Sequence, residues 1–167
     1  GAGKTSAFNV ISGFYRPTEG HVEFLGRSLT GLTPHAVCRA GLSRTFQNIR
    51  LFGNETALQN VMVGAWVRQR TRWWMTLLPF LFPDSLREDG ESLLKRLGLD
   101  DYADEPASSL PYGTQRRLEI ARALATEPRF LLLDEPAAGM NPQESEELMR
   151  FIRRLRDDFH LTILLIE

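Results

Sequence analysis

The chain has 167 residues, a length that suits one domain, and its 43% hydrophobic and 25% charged content is that of an ordinary globular protein. A formal net charge of −1 gives no electrostatic case for nucleic-acid binding, which usually rests on a basic face. One cysteine, Cys38, rules out an internal disulfide, and the three histidines, His21, His35 and His160, stand at no metal-ligand spacing.

In chain order the first element is a loop. GAGKTS at residues 1–6 is the tail of the pattern G-x-x-x-x-G-K-[ST], whose first glycine would precede residue 1. Glycines there let backbone N–H groups close around phosphate oxygens, at the positive end of the following helix. In that pattern Lys4 neutralises the β- and γ-phosphates of a nucleotide and the Thr5 hydroxyl coordinates Mg²⁺. The competing reading is a plain glycine-rich turn before a helix. Residues 5–13 continue the loop as a helix. HVEFLG at 21–26 reads as a strand ending in a turn at Gly26, and LSRTFQN at 42–48 as a short strand or strand end.

From about residue 50 to 124 the pattern is helical. ALQNVMVGAWVRQR comes first, then SLREDGESLLKRLGL with Gly98 as a helix stop, then TQRRLEIARALATEP, opened at Thr114 by a turn at Gly113, with Leu118, Ala121, Leu124 and Ala125 at helical spacing. Between the first two lies WWMTLLPFLF at 73–82, too short for a bilayer span of about 20 residues and interrupted by Pro79. It reads either as helix packing or as a surface facing another apolar protein.

The stretch FLLLDEPAAG at 130–139 carries the most chemistry. An apolar strand over 129–134 delivers Asp134 and Glu135 side by side, although a buried carboxylate is costly unless paired, hydrogen-bonded or bound to a cation. In P-loop NTPases an acid at such a strand end holds the Mg²⁺ sphere, which suits Asp134 and offsets its burial. Glu135 then faces the γ-phosphate, placed to accept a proton from the attacking water or to orient it. The helix that follows, NPQESEELMRFIRRLRDD, has Asn141 as N-cap, Pro142 at its first position and Glu144 completing a capping box. Leu148, Phe151, Ile152 and Leu155 make its apolar stripe, and TILLIE closes the chain as a strand. Strand, helix and strand with continuous apolar strands predict a parallel sheet covered on both faces. Both ends read as cut, one inside a motif and the other inside a core strand.

With TFQN at 45–48 and LLLDEPAAGMNP at 131–142, the stretch LPYGTQRRLEIARAL at 110–124 makes the chain resemble the nucleotide-binding domain of ATP-binding cassette (ABC) transporters over nearly its whole length. TFQNIRLF, the Y-G-x-Q-R-R-L-E-I-A-R signature and DEPAAG-x-NP are most similar to the ATPase subunits of bacterial importers for branched-chain amino acids. The fold implied is α/β, a P-loop NTPase with a RecA-like core and mostly parallel sheet over residues 1–49 and 125–167, with part of an antiparallel β region. A helical subdomain over 50–124 is inserted and ends in the signature helix. The cofactors implied are ATP and Mg²⁺. By the same resemblance Gly1, Ala2, Gly3, Lys4, Thr5 and Ser6 are the phosphate loop, and Gln47 touches Mg²⁺ and senses a membrane subunit. Leu110 to Gln115, with Tyr112, Gly113 and Gln115 as contacts, clasp the ATP of an opposite subunit. Thr5, Gln47 and Asp134 hold the metal, Glu135 is the catalytic carboxylate, and Ala138 to Asn141 cross the dimer interface. The partners implied are a second ATP-binding subunit and transmembrane permease subunits, with no nucleic acid and no direct contact with the solute; the tryptophan and phenylalanine density of residues 50–100, including WWMTLLPFLF, makes that segment the expected face for the permease. The place implied is the cytoplasmic face of a bacterial or archaeal plasma membrane.

The chain departs from the commonest pattern at two positions. Pro111 stands where the signature usually has a serine, and Asn141 where the interface loop usually has an aspartate. The adenine-stacking aromatic and the switch histidine of the family would fall before residue 1 and after Glu167. Two other readings stay open: a non-transport ABC ATPase acting on DNA or the ribosome, and a degenerate nucleotide-binding regulatory module. The near-neutral charge weighs against the first, as does the short interval from Gln47 to the signature. Intact Lys4, Asp134 and Glu135 weigh against the second.

Overall fold

Leu131, Leu132 and Leu133 are completely buried in the computed structural model, which describes residues 3–68 and 84–167. The run WWMTLLPFLF and the loop residues Gly1 and Ala2 lie outside the described residues. The elements begin with α1 (Lys4–Ile11), β1 (Glu23–Phe24), β2 (Arg27–Ser28), α2 (Pro34–Arg39) and β3 (Leu42–Arg44). Three helices follow, α3 (Ala57–Trp66), α4 (Asp84–Leu97) and α5 (Tyr112–Leu124), then β4 (Phe130–Asp134), α6 (Pro142–Asp158) and β5 (Thr162–Ile166). They divide into two compact units, Gly1–Gln47 with Pro128–Glu167, and Asn48–Glu127.

In the first unit β3, β4 and β5 pair in parallel in that order, Leu42 opposite Phe130 and Asp134 opposite Ile166. The central strand is β4, which explains its unbroken apolar run. Phe8 of α1 packs with Leu29, Val37, Leu42, Leu132 and Ile166 in one cluster. The pleat turns Leu131 and Leu133 to the opposite face. α6 connects β4 to β5 and buries Leu148, Phe151, Ile152 and Leu155. Its capping box forms as the sequence predicts: Glu144 N–H donates to Asn141 Oδ1 at 2.9 Å, and Asn141 N–H to Glu144 Oε2 at 3.0 Å.

In LSRTFQN the strand is short, as expected, and ends at Arg44, although Thr45 N–H still bonds Leu132 O. In HVEFLG the strand is Glu23–Phe24 and the turn falls at Gly26 as expected: Leu25 and Gly26, with φ angles of 51° and 73°, make a type I′ turn between β1 and β2. Among the described residues β5 pairs with β4 alone, and its Leu164 is 41% exposed.

In the second unit α3 packs against α4 and α5. Thr56 and Gln59 form a capping box at the start of α3. A Cβ on Gly64 would stand 2.2 Å from Arg122 O, so only glycine permits this crossing. Gly98, at φ 65°, ends α4 with Leu99 N–H on Leu94 O and Gly98 N–H on Lys95 O, the paired bonds that satisfy a helix C-terminus. Buried Asn60 ties the loop before α3: it accepts from Phe52 N–H at 2.9 Å and donates to Phe52 O and Thr56 O at 3.0 Å. Among the described residues no helix is long and apolar enough to cross a membrane.

Candidate nucleotide site

Gly3 caps α1 at φ 72° and ψ 0°, a left-handed conformation that a side chain would strain. The first bond of this terminus runs from Ala7 N–H to Gly3 O, so the amides of Lys4, Thr5 and Ser6 precede the helix ladder. No acid occupies the first turn, and the side chains of Lys4, Thr5 and Ser6 are exposed. Free backbone donors, a positive helix end and a lysine suit a phosphate. Lys4 Nζ donates to the main-chain oxygen of Glu167 at 2.8 Å.

The two strand-end acids have different surroundings. Asp134 is 4% exposed, and its Oδ2 accepts from Arg44 Nη2 at 2.8 Å. Glu135 turns out of the strand at φ 44°, held by its N–H on Ile166 O, and its Oε2 accepts from Gln47 Nε2 at 2.9 Å. The structure therefore brings Gln47 and Glu135 together, and answers the burial of Asp134 with Arg44. Sequence reasoning missed Arg44. Its signal was an arginine at the end of a short strand, a place where a long cation needs a partner.

Thr5 offers a hydroxyl, Asp134 a carboxylate and Gln47 an amide oxygen, its nitrogen being committed to Glu135. These are hard oxygen donors of the kind Mg²⁺ takes. No cluster of three or more His, Cys, Asp or Glu residues that could hold a metal occurs among the described residues.

In the second unit the signature differs in detail from the expected Gly113 turn opening a helix at Thr114. Pro111, at φ −55° and ψ 148°, is itself the N-cap of α5, and the helix begins at Tyr112. The fixed φ of proline is adequate for a cap, which needs no N–H inside the helix. Gly113 therefore lies in the first turn, with open space where a Cβ would be. No side chain caps this terminus. Gln115 folds back, its Nε2 donating to Leu110 O at 2.8 Å. Tyr112 is 44% exposed, its hydroxyl 3.3 Å from Arg116 Nη2. Arg116 and Glu119 form a buried ion pair at 2.7 Å, and Arg50 N–H donates to Glu119 at 3.2 Å. Burial pushes the Glu119 carboxyl above its ordinary range, against the opposing pull of Arg116, and burial also lowers Arg122. Asn141 serves as the cap of α6, a task an aspartate performs equally well.

A parallel sheet carrying a glycine-capped helix start and paired acids at a strand end is the core of a P-loop NTPase. The chain belongs to the ABC transporter family, whose sequence model matches residues 1–138. It is 43% identical over 173 residues to the high-affinity branched-chain amino acid transport ATP-binding protein BraF of Pseudomonas aeruginosa, covering 100% of this chain and 67% of the relative. Its fold is similar to the ADP conformation of MJ1267, an ATP-binding cassette of an ABC transporter, with a TM-score of 0.83, 29% identity, and 99% of this chain and 65% of that one covered. It is also similar to the dimeric post-hydrolysis state of the cassette MJ0796 bound to ADP and Pi, with a TM-score of 0.76, 25% identity, and 98% and 68% covered. The chain thus spans about two thirds of the length of the relatives it matches.

Proposed function

We propose that this chain is the ATP-binding and hydrolysing part of an ABC importer, and that it powers uptake of branched-chain amino acids. The observation that carries the chemistry is the separation of the two acids, Asp134 facing Arg44 and Glu135 facing Gln47. Similarity to the BraF protein over the whole chain supports the choice of solute.

The Lys4 ammonium and the amides of Gly1 to Ser6 hold the β- and γ-phosphates. Thr5, Gln47 and Asp134 hold Mg²⁺, which when bound neutralises charge on the phosphate oxygens. Glu135 takes a proton from water as the water oxygen bonds to the γ-phosphorus. The bond from that phosphorus to the bridging oxygen breaks, releasing ADP and phosphate. Residues 1–49 and 125–167 are the RecA-like core in this reading, and 50–124 the helical subdomain. Tyr112, Gly113 and Gln115 then meet the nucleotide of a second ATP-binding subunit, and permease subunits dock the pair on the cytoplasmic face of the membrane. The dimeric form of MJ0796 supports the pairing.

Nucleotide binding to a Lys4→Ala variant of the full-length protein tests the phosphate loop. Loss of a hydrogen bond to a charged group is worth about 1.5–3 kcal/mol, so ATP is expected to bind roughly tenfold to a hundredfold more weakly. Unchanged affinity contradicts the reading.

A further inference from the structure

Arg44 holds none of the phosphate, metal or proton roles above, yet its side chain is 6% exposed and fixed from several directions. Nη2 donates to Asp134 Oδ2 at 2.8 Å, while Nη1 donates to Asn9 Oδ1 at 2.7 Å and to Ser12 Oγ at 3.1 Å. The rings of Phe8 and Phe46 lie 5.4 and 5.2 Å from its guanidinium carbon, within cation–π range. Asn9 lies on α1 and Ser12 caps its end, so one guanidinium ties the far end of the phosphate-loop helix to the strand-end acid.

We propose that Arg44 is a placeholder cation: it supplies the counter-charge that buried Asp134 needs while no metal is bound, and its charge sets how tightly the site takes a divalent ion. This rests on the reading of Asp134 as a metal-sphere residue. A carboxylate this deeply buried is costly without a partner, and an ATPase passes through a metal-free state in every cycle. Arg44 meets that need from within the chain. Its two further anchors and the flanking rings keep it in place when a second cation arrives, so the two positive charges share one acid and repel each other. The site then releases its metal more readily than an Asp134 without Arg44 would.

The test follows thermal unfolding of the full-length protein with a non-hydrolysable ATP analogue, first in a chelator and then across a Mg²⁺ titration. Arg44→Met is expected to lower the midpoint in chelator and to recover most of that loss with Mg²⁺. Its half-saturating Mg²⁺ is expected to fall about tenfold, the equivalent of one charge-assisted hydrogen bond. Arg44→Lys keeps the charge and should keep the wild-type Mg²⁺ dependence. Should Arg44→Met fail to fold, Arg44→Gln still donates to Asp134 without the charge and should shift in the same direction. Equal destabilisation with and without Mg²⁺, at an unchanged half-saturating concentration, overturns the proposal and leaves Arg44 a packing residue. A wild-type protein that gains nothing from Mg²⁺ overturns the metal reading of Asp134 instead, and the proposal with it.

Discussion

Replacing Arg116 by methionine removes the cation from an ion pair whose side chains are 0% and 2% exposed. Glu119 is then left with the Arg50 N–H at 3.2 Å and with Arg122, and Tyr112 loses the contact to its hydroxyl. Removing one partner of a buried pair typically costs about 3–5 kcal/mol, because the remaining charge stays buried and uncompensated. The sign of the pH dependence follows from Glu119. Burial already raises its carboxyl above the ordinary value of 4.5, and Arg116 opposes that shift. A raised carboxyl contributes stability that is present below its unfolded value and lost as pH rises through the folded one. Without Arg116 the carboxyl rises further, so the variant suffers most at neutral pH and recovers as acid protonates Glu119. Urea unfolding of the full-length protein at about pH 7.5 and about pH 5 should show the loss shrinking at the lower pH. The double variant Arg116→Met/Glu119→Leu should regain much of the loss, since apolar replacements of buried pairs are often neutral. A loss below about 1 kcal/mol, or one independent of pH, refutes the reasoning, since that is the scale of an exposed pair.

Other outcomes follow from the helix starts. Gly113 has open space at its Cβ position, so Gly113→Ala should leave unfolding unchanged or raise stability by about 0.5 kcal/mol. Gly113→Asp should abolish ATP hydrolysis yet keep ATP binding, because the carboxylate would repel a phosphate presented by a second subunit; normal turnover counts against the signature's role. Pro111→Ser supplies the side-chain cap that α5 lacks, so a gain of about 1 kcal/mol in thermal unfolding is expected, with ATPase activity intact or raised. Asn141→Ala dismantles the capping box of α6 and should cost about 1 kcal/mol, read from the same melts; no change would mean the box is dispensable.

Local signals in the sequence carried well. The apolar run into Asp134, the capping box at Asn141 and the stop at Gly98 each depend on a few consecutive residues, and each forms as its local chemistry dictates. What the sequence hid was long-range. Arg44 and Asp134 stand ninety positions apart, so the partner of the buried acid could not be read from either neighbourhood. Arg116 and Glu119 lie within a helix whose apolar stripe was legible, but that stripe does not mark the two charged residues as buried. They pair with each other in the interior, and Arg50 N–H donates to Glu119. At Gly113, proline's suitability as a cap moved the helix start two residues earlier than the glycine suggested.

In the proposed mechanism Glu135 takes the proton from the attacking water. Gln47 Nε2 donates to Glu135 Oε2, and a glutamine at 135 can still accept that bond through its amide oxygen. The substitution Glu135→Gln therefore leaves this contact intact and changes only the ability to accept a proton. Single-turnover hydrolysis by the full-length Glu135→Gln protein, measured beside its affinity for ATP, is the direct test. The expected result is retained ATP binding with hydrolysis slowed by about 10²–10⁴-fold, the usual contribution of a general base. Turnover at the wild-type rate would contradict it.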